Sequence, residues 1–141
     1  MSVRPIPAHE IRVRIEKRDL SAAVIVDWDF SDVELCDVHA QRTRFVRCTF
    51  RRAVLVNGDF DRTSAPECDF REAVLISASF YEADLRGARF DGANLARSEF
   101  LDCDLRGASF ANADLRGAMF ADCEIEGVSL EGAQRKAFSI D

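Results

Sequence analysis

Large apolar residues recur at every fifth position from Ala73 to Gly127, in eleven consecutive five-residue units without insertion or deletion. The first position of each unit holds a small residue and the third holds Leu, Ile or Phe; the third positions are Leu75, Phe80, Leu85, Phe90, Leu95, Phe100, Leu105, Phe110, Leu115, Phe120 and Ile125. A period of five gives no stripe on an α-helix and alternates between the two faces of a straight strand. The pattern therefore predicts short extended segments separated by corners, with the first and third residues of each unit pointing inward.

The residue types at the third positions indicate how many corners close one coil. A three-sided coil of fifteen residues would mix rings and aliphatic side chains in every column. A four-sided coil of twenty residues instead stacks like on like, in the sets Phe30, Phe50, Phe70, Phe90 and Phe110; Phe60, Phe80, Phe100 and Phe120; Leu35, Leu55, Leu75, Leu95 and Leu115. We therefore predict an all-β, four-sided parallel β-helix of about six coils, stacked at the strand spacing of about 4.8 Å.

The pattern weakens at both ends of the chain. Residues 1–10 contain two prolines and predict a flexible arm, and Ile11, Val13 and Ile15 alternate with charged residues, as in a half-buried strand. We expect an arm and cap strand at 1–19, the β-helix at 20–133 and a C-terminal cap at 134–141, since the ends of solenoids need covering. Trp28 occupies a first position, where we expect it to pack under the cap strand; ligand stacking is the alternative.

The corner positions carry a second signal. Six of the seven glycines occupy the fifth position of a unit, and a type II turn needs a positive φ at its third residue, which glycine adopts without strain. Ala65 replaces a large third residue and Pro66 follows it, but Phe60, Phe70 and Leu75 remain in phase. We therefore expect an irregular corner at Pro66 and no inserted loop.

These units resemble the pentapeptide-repeat family, whose units run Ala-Asp/Asn-Leu-x-x. Near-consensus units are 83–87 (Ala-Asp-Leu-Arg-Gly), 113–117 (the same five residues) and Ala93-Asn94-Leu95. The resemblance covers about residues 20–133 and implies a right-handed quadrilateral β-helix. It also implies a function class: the quinolone-resistance members of the family imitate DNA in shape and charge and bind DNA gyrase.

Composition adds the setting in which we expect the protein to work. The chain of 141 residues corresponds to one domain, and no apolar run reaches the roughly 20 residues of a membrane span. No apolar stretch follows the first five residues, so we expect no secretory signal. The five cysteines have no paired spacing, which favours reduced thiols and a cytoplasmic location.

The sequence offers no pattern of catalytic or metal-binding residues. Cys48, Cys68, Cys103 and Cys123 occupy first positions, where they are expected to pack as small buried side chains, and Cys36 is the one thiol expected on the surface. The two histidines, His9 and His39, are isolated from any set of metal ligands. We therefore expect no cofactor, no metal and no enzymatic activity.

Charge is divided unevenly along the chain. Residues 1–52 carry 10 basic and 8 acidic side chains, whereas residues 53–141 carry 9 basic and 17 acidic ones. The basic surplus forms a predicted belt of Arg42, Arg44, Arg47, Arg51 and Arg52. One column of later coils is predicted to be acidic and consists of Asp59, Asp61, Glu82, Glu99, Asp102 and Asp122. Such a column can imitate a row of phosphates, or it can be the charged coat that any soluble solenoid needs.

An uncharged cluster interrupts this coat. Val54, Val56, Val74 and Ile76 flank Leu55 and Leu75, which are twenty residues apart, so the four side chains are predicted to form one square on adjacent coils. Exposed apolar patches often mark contact sites, although β-branched residues also suit extended backbone. Three functions follow: a non-catalytic interaction module that binds a protein partner or a second copy, a DNA-mimicking gyrase binder, and nucleic-acid binding through the arginine belt.

Overall fold

The computed structural model describes residues 4–141, in which one helix precedes a parallel β-helix. The helix α1 spans Ala8–Lys17. Two short strands, β1 (Val24–Val26) and β2 (Arg44–Val46), pair in parallel. Four more form a second parallel sheet in sequence order, β3 (Ser79–Tyr81), β4 (Glu99–Leu101), β5 (Met119–Ala121) and β6 (Ser139–Ile140).

From Asp19 onward the register of the backbone pairs is twenty residues, as the four-sided prediction requires. Ser79 pairs with Glu99 and Glu99 with Met119 inside the larger sheet. Outside the named strands, isolated bridges such as Val54 to Val74 keep the same offset. Each coil thus contains four five-residue units and four corners, and residues twenty apart lie above one another.

We number the four faces of the rod by their third-position residues. Face 1 contains residues 20, 40, 60, 80, 100, 120 and 140, and it carries β3 to β6. Face 2 contains residues 25, 45, 65, 85, 105 and 125, face 3 residues 30, 50, 70, 90, 110 and 130, and face 4 residues 35, 55, 75, 95, 115 and 135. The second, fourth and fifth residues of each unit form the outer coat.

The interior is formed by the predicted columns. Every third-position side chain from Leu20 to Phe120 is buried. Phe30 and Phe50 stack with ring centroids 4.7 Å apart, and Phe80 and Phe100 do the same on the opposite side of the rod. Rings of the two columns meet edge to face in the centre, for example Phe90 and Phe100 at 5.8 Å. These contacts confirm that the rings stack with a period of twenty.

The corners explain the conformation and the residue types of the coat. The fifth residue of each unit from 22 to 137 has a positive φ, whether it is glycine, as in Gly107 at 72°, or not, as in Arg62 at 58°. In regular corners the fourth N–H donates to the side chain of the second residue; the Arg86 and Arg106 N–H groups donate to Asp84 and Asp104. The family-like Asp at the second position therefore satisfies a backbone donor that has no backbone acceptor.

Pro66 lies at a fourth position, where the backbone N–H is not needed for pairing between coils. Because the fourth N–H takes no part in the ladder of regular corners, proline removes no ladder bond there. The neighbouring backbone bonds persist, with Glu67 N–H donating to Arg86 O at 2.8 Å and Cys68 N–H to Ala65 O at 3.3 Å. The corner therefore stays in register without an inserted loop.

The predicted N-terminal cap strand is wrong, because residues 8–17 form α1. Ile11 and Ile15 are one helical turn apart and face the rod, whereas Val13 is 45% exposed. An ion pair between Glu10 and Arg14 at 3.1 Å spans one turn of this helix. Residues 11, 13 and 15 alternate with charged residues as in a strand, but Ile11 and Ile15 are also four residues apart and lie on one face of the helix.

Other predictions for the N-terminal segment have mixed outcomes. Of the predicted flexible arm at 1–10, residues 1–3 lie outside the described residues, Pro5 bridges to Val24, and residues 8–10 belong to α1. Trp28 is half-buried, with its ring 6.3 Å from Phe30 and the Arg12 guanidinium 5.5 Å from its centroid. Arg12, which lies beside Trp28, therefore belongs to helix α1 and not to the predicted cap strand.

The segment predicted as a C-terminal cap continues the coil instead. Gln134 bridges to Asp114, and β6 pairs with β5 in the same register. The last coil has no neighbour beyond it among the described residues, so Ile125 and Ile140 are each 42% exposed. The Phe120 ring leaves the stack, meeting Phe100 edge to face at 4.6 Å and Phe138 at 5.2 Å.

Candidate interaction surfaces

The uncharged cluster predicted on face 4 lies together as expected. Bridges join Glu34 to Val54, Val54 to Val74 and Val74 to Asn94, so these second-position residues form one column. The fourth-position column beside it is Cys36, Val56, Ile76 and Ala96, and the fifth-position column includes Asn57 and Ser77. All four aliphatic side chains of the cluster are half-buried. We call the uncharged surface formed by Val54, Val56, Asn57, Val74, Ile76, Ser77 and Ala96 the neutral stripe.

The two ends of the neutral stripe carry opposite charges. Glu34 and Asp37 lie at its N-terminal end, where Arg18 also donates to the Cys36 carbonyl at 2.6 Å. Arg97 lies at its C-terminal end. Within residues 4–141, neither the two carboxylates nor Arg97 makes an ion pair with another side chain.

Pro5 and Ile6 lie away from this face, whereas Arg18 contacts its N-terminal end. The Ile6 N–H donates to Val24 O at 2.9 Å and Pro5 bridges to the same residue, so the N-terminal segment lies beside face 2. The neutral stripe is not the most exposed apolar surface, however. The large hydrophobic side chains that are exposed among the described residues are Val13, Met119, Ile125 and Ile140.

The predicted acidic column lies on face 1, but its members differ in their partners. Asp59 accepts a hydrogen bond from Gln41 at 2.7 Å, and Asp61 accepts from the Ser79 hydroxyl at 2.6 Å and the Tyr81 N–H at 2.9 Å. Glu82 is 4.0 Å from the Arg62 guanidinium. Glu99, Asp102 and Asp122 have no ion-pair partner in the described part of the chain. The N-terminal half of the column is therefore held by contacts within the rod, and the C-terminal half is left without such partners.

Face 1 also carries apolar side chains that the sequence reasoning did not single out. Tyr81, Leu101 and Ala121 occupy its fourth-position column, and Met119, which is 39% exposed, lies between Glu99 and Ser139 in the second-position column. The signal was available, because these residues are twenty apart from one another or from the acidic residues. The charge of this column alone does not indicate them.

The predicted arginine belt is largely engaged by carboxylates of neighbouring coils. Arg47 pairs with Asp27 at 2.6 Å and Arg52 with Asp32 at 2.9 Å, each across one coil, and Arg51 approaches Glu72 at 3.5 Å. Arg42 and Arg44 make no ion pair within residues 4–141. The belt thus exposes less unbalanced charge than the count of arginines indicated.

Elsewhere the coat neutralises itself within single units. Arg86, Arg106 and Arg116 each form ion pairs of 2.6–2.7 Å with the Asp two residues earlier. The hydrogen bond from the Arg116 side chain holds the pKa of Asp114 below its usual value, since it stabilises the carboxylate. The same pairing of second-position Asp with fourth-position Arg occurs on faces 2, 3 and 4.

The buried cysteines have a structural role. Cys48, Cys103 and Cys123 donate to third-position carbonyls of the preceding coil, for example Cys103 Sγ to Phe80 O at 3.0 Å. Burial raises the pKa of the Cys48 thiol to about 12, and contact with the Cys123 sulfur, together with burial, raises that of Cys103. All five cysteines are free; Cys36 is half-buried on face 4, and Cys123 is half-buried as well.

An open groove lies on face 2, away from faces 1 and 4. This groove of about 560 Å³ beside Pro66 is lined by Arg44, Arg47 and Arg86 together with Ser64 and Asp84, without a nucleophile and base in contact. Within residues 4–141, no three His, Cys, Asp or Glu side chains gather as a metal site. In the same range no helix has the length and apolarity needed to cross a membrane.

Comparisons with known proteins agree on the repeat. The model of the pentapeptide repeat region matches residues 64–137, and that of pentapeptide repeats (8 copies) matches residues 29–64. Comparison with curated protein sequences finds no match.

Three solved structures show the range of similar folds. The pentapeptide repeat protein Rfr23 from the cyanobacterium Cyanothece 51142 is 23% identical, with TM-score 0.64, over 96% of this chain and all of that one. A pentapeptide repeat protein from the Arabidopsis thaliana thylakoid lumen is 27% identical, with TM-score 0.55, over 67% of this chain and 63% of that one. A trypsin-treated variant of QnrB1, a plasmid-mediated fluoroquinolone resistance protein, is 20% identical, with TM-score 0.52, over 87% of this chain and 82% of that one. These similarities confirm the right-handed quadrilateral β-helix.

Proposed function

The chain belongs to the pentapeptide-repeat family, and from this premise we propose that it is a non-catalytic protein-interaction module whose binding face is the neutral stripe of face 4. The observation that carries the proposal is the continuity of the stripe. Its uncharged residues occupy all three outward columns of two adjacent coils, whereas the coats of faces 2 and 3 contain Asp–Arg pairs. Flat apolar patches bounded by polar residues are typical of protein contact sites.

A second copy of the chain is the occupant that fits this face best. A two-fold axis lying across face 4, midway between Leu55 and Leu75, runs the two rods antiparallel and preserves the three columns. Each residue of one coil then faces the residue of the same column that lies equally far on the other side of the axis. Val54 meets Val74 of the second copy, Val56 meets Ile76, and Asn57 meets Ser77. The stripe is therefore self-complementary, as an isologous interface requires.

The charges at the two ends of the stripe favour the same arrangement. The axis that pairs Val56 with Ile76 also places Asp37 opposite Arg97 of the second copy, twice per dimer. These groups lack ion-pair partners within residues 4–141 of their own chain, so the dimer would supply them. Opposite charges at the rim fix the register of an interface more than they add affinity.

Light scattering coupled to size-exclusion chromatography tests this proposal. We expect the wild-type chain to have twice the monomer mass at high concentration. Val56→Glu combined with Ile76→Glu should give the monomer mass, because it buries four carboxylates against aliphatic side chains in the dimer. The matched control, Ala111→Glu with Ser129→Glu, adds the same two charges on face 3 and should remain dimeric. Wild type and both variants all running as monomers would exclude the dimer.

Gyrase binding by DNA mimicry is the second candidate, favoured by one observation. Glu99, Asp102 and Asp122 on face 1 have no ion-pair partners within residues 4–141, and the family resemblance implies gyrase as a target. Glu99→Lys with Asp102→Lys should then abolish any effect of the protein on DNA supercoiling by purified gyrase, with the fold intact by circular dichroism. An unchanged titration, or no effect of the wild-type protein, would exclude this candidate.

Nucleic-acid binding through the arginine belt is the least supported of the three functions. Arg47, Arg51 and Arg52 already contact carboxylates, which leaves Arg42 and Arg44 as the unbalanced members. Binding through so few cations would be weak, and its salt dependence would be shallow because few counterions are released.

A further inference from the structure

The C-terminal half of face 1 combines apolar and acidic side chains in separate columns. On β3, β4 and β5 the fourth-position column consists of Tyr81, Leu101 and Ala121, stacked in register. The fifth-position column beside it consists of Glu82, Asp102 and Asp122, and Glu99 and the exposed Met119 lie on the opposite side. We call this surface, made of Tyr81, Glu82, Glu99, Leu101, Asp102, Met119, Ala121 and Asp122, the acidic–apolar strip.

The charge of this strip is not balanced within the rod. Within residues 4–141, Glu82 alone among its four carboxylates has an ion-pair partner, Arg62, whose guanidinium lies 4.0 Å from Glu82 and 5.8 Å from the Tyr81 ring centroid. On the other faces the neighbouring units hold an Arg beside nearly every second-position Asp. Carboxylates without an ion pair also occur on other faces, but here three carboxylates are stacked on consecutive coils beside apolar side chains.

The fold does not require the acidic column either. Glu82, Asp102 and Asp122 have φ values of 52–55°, in the left-handed region where glycine is unstrained. The equivalent corners of neighbouring faces hold Gly87, Gly107 and Gly117. Carboxylates stacked at the coil spacing of about 4.8 Å also repel one another. The column therefore costs stability, and a binding partner with positive charge accounts for it.

We propose that the acidic–apolar strip binds an amphipathic, basic α-helix of a partner protein, lying along the rod axis. The repeat distances support this occupant. Carboxylates recur along the strip about every 4.8 Å, and a helix presents residues of one face about every 5.4 Å, so three successive turns stay close to register. A row of Lys or Arg on the helix then meets the acidic column, while an adjacent row of apolar residues covers Tyr81, Leu101 and Ala121.

The apolar column favours an amphipathic helix as the partner over the DNA-binding groove of a protein that a DNA mimic would occupy. A surface that only imitates a phosphate row needs carboxylates and gains nothing from an exposed methionine or a half-buried leucine beside them. A helix with both basic and apolar rows uses both columns, since burial of the apolar row adds affinity that salt does not screen. The strip and the neutral stripe lie on different faces, so this inference does not rest on the dimer.

A synthetic peptide provides the probe. We would titrate a fluorescein-labelled helix of leucine and lysine, about five turns long, against the full chain by anisotropy. Its leucines lie on one face with a lysine row beside them. The control peptide has the same composition in scrambled order, without a continuous apolar face. We expect the amphipathic peptide to bind on the order of tenfold more tightly than the scrambled one, and to retain part of its affinity at high salt.

Matched variants locate the site. Glu82→Gln with Asp102→Asn and Asp122→Asn should weaken binding of the amphipathic peptide by roughly tenfold, the effect of losing three exposed charge pairs. Glu67→Gln with Glu126→Gln and Glu131→Gln removes the same charge from faces 2 and 3 and should change affinity by less than about twofold. Leu101→Ser should weaken the part of the binding that persists at high salt.

Two results would overturn the proposal. Equal weakening by the two triple variants would show that the peptide senses only net charge. Equal affinity of the amphipathic and scrambled peptides would show that the apolar column contributes nothing. Circular dichroism of each variant tests that the rod is folded, and light scattering tests that its oligomeric state matches the wild type. Both results can therefore be interpreted whether or not the chain forms the proposed dimer.

Discussion

Faces 3 and 4 of the rod have the same repeat and buried third positions from residue 30 to residue 115, yet their coats differ in two adjacent coils. Under face 3 lie stacked phenylalanines and under face 4 stacked leucines, all fully buried. Outside, face 3 carries ion pairs such as Arg71 to Asp69 at 2.7 Å, whereas two adjacent coils of face 4 carry no charge. The coat can therefore change without any change in the repeat that builds the rod. In this molecule the first and third positions form the core, the second and fifth positions help to form the corners, and the charge of the coat varies independently of the core.

The largest expected effect tests whether the interiors of the two faces are equivalent. Phe90→Ala under face 3 and Leu95→Ala under face 4 should both destabilise the rod, by about 3–5 and about 2–5 kcal/mol, because each leaves a cavity in a close-packed column. Urea unfolding followed by circular dichroism measures both. A loss below about 1 kcal/mol for either variant would contradict a close-packed interior at that position.

The next effect concerns the charged ends of the neutral stripe. Asp37→Arg should weaken the dimer by like-charge repulsion against Arg97 of the second copy, and adding Arg97→Asp should restore it. Sedimentation velocity over a concentration series compares the two variants with wild type. Failure of the second substitution to restore the dimer would refute the antiparallel register, even if the dimer itself exists.

A smaller effect is expected for the ion pairs on face 3, which should make thermal stability depend on pH. Burial raises the pKa of Asp69, but hydrogen bonds from the Arg71 side chain and N–H outweigh burial, so its folded pKa lies below the ordinary value. A depressed folded pKa stabilises the fold above the unfolded pKa of about 3.9 and loses that contribution as pH falls through the folded pKa. Asp69→Asn should therefore flatten the fall of thermal stability below about pH 4 relative to wild type. Parallel curves for the two proteins would contradict this assignment.

The smallest effect concerns the thiols. Cys48 is buried and burial raises its pKa to about 12, whereas Cys36 is half-buried on the surface of face 4. In dilute native protein at about pH 8, iodoacetamide should modify Cys36 and leave Cys48 intact, and mass spectrometry of peptides reads both sites. Modification of Cys48 at the rate of Cys36 would mean that the coil opens there.

The sequence predicted the rod because its signal is periodic and local. Every third-position residue from Leu20 to Phe120 lies where the period of five places it, and the fifth residues take the positive φ that the glycines predicted. The cap was predicted incorrectly because Ile11, Val13 and Ile15 fit two periods at once. The Glu10–Arg14 pair, spaced four residues apart, favoured the helix.

The coat was harder to predict, since its contacts join residues one coil apart. The Arg47–Asp27 and Arg52–Asp32 pairs follow directly from the twenty-residue register, but they appear only after residues twenty apart are read together. The same reading finds Tyr81 and Leu101 beside the acidic column. At the last coil the Phe120 ring turns edge-on to Phe100. The repeat contains no signal for this packing, so the sequence alone does not predict it.

One cross-linking measurement tests most directly whether face 4 is a self-complementary binding face. In the antiparallel dimer the native Cys36 faces Ala96 of the second copy, so Ala96→Cys should allow two cross-links per dimer by a short bis-maleimide, whose reach matches the spacing of about 10 Å between packed sheets. We predict a covalent dimer on non-reducing gels, with mass spectrometry locating the link between Cys36 and position 96. Ala111→Cys on face 3 is the control and should stay monomeric on the gel. Absence of the covalent dimer from Ala96→Cys, or an equal yield from the control, would contradict the account.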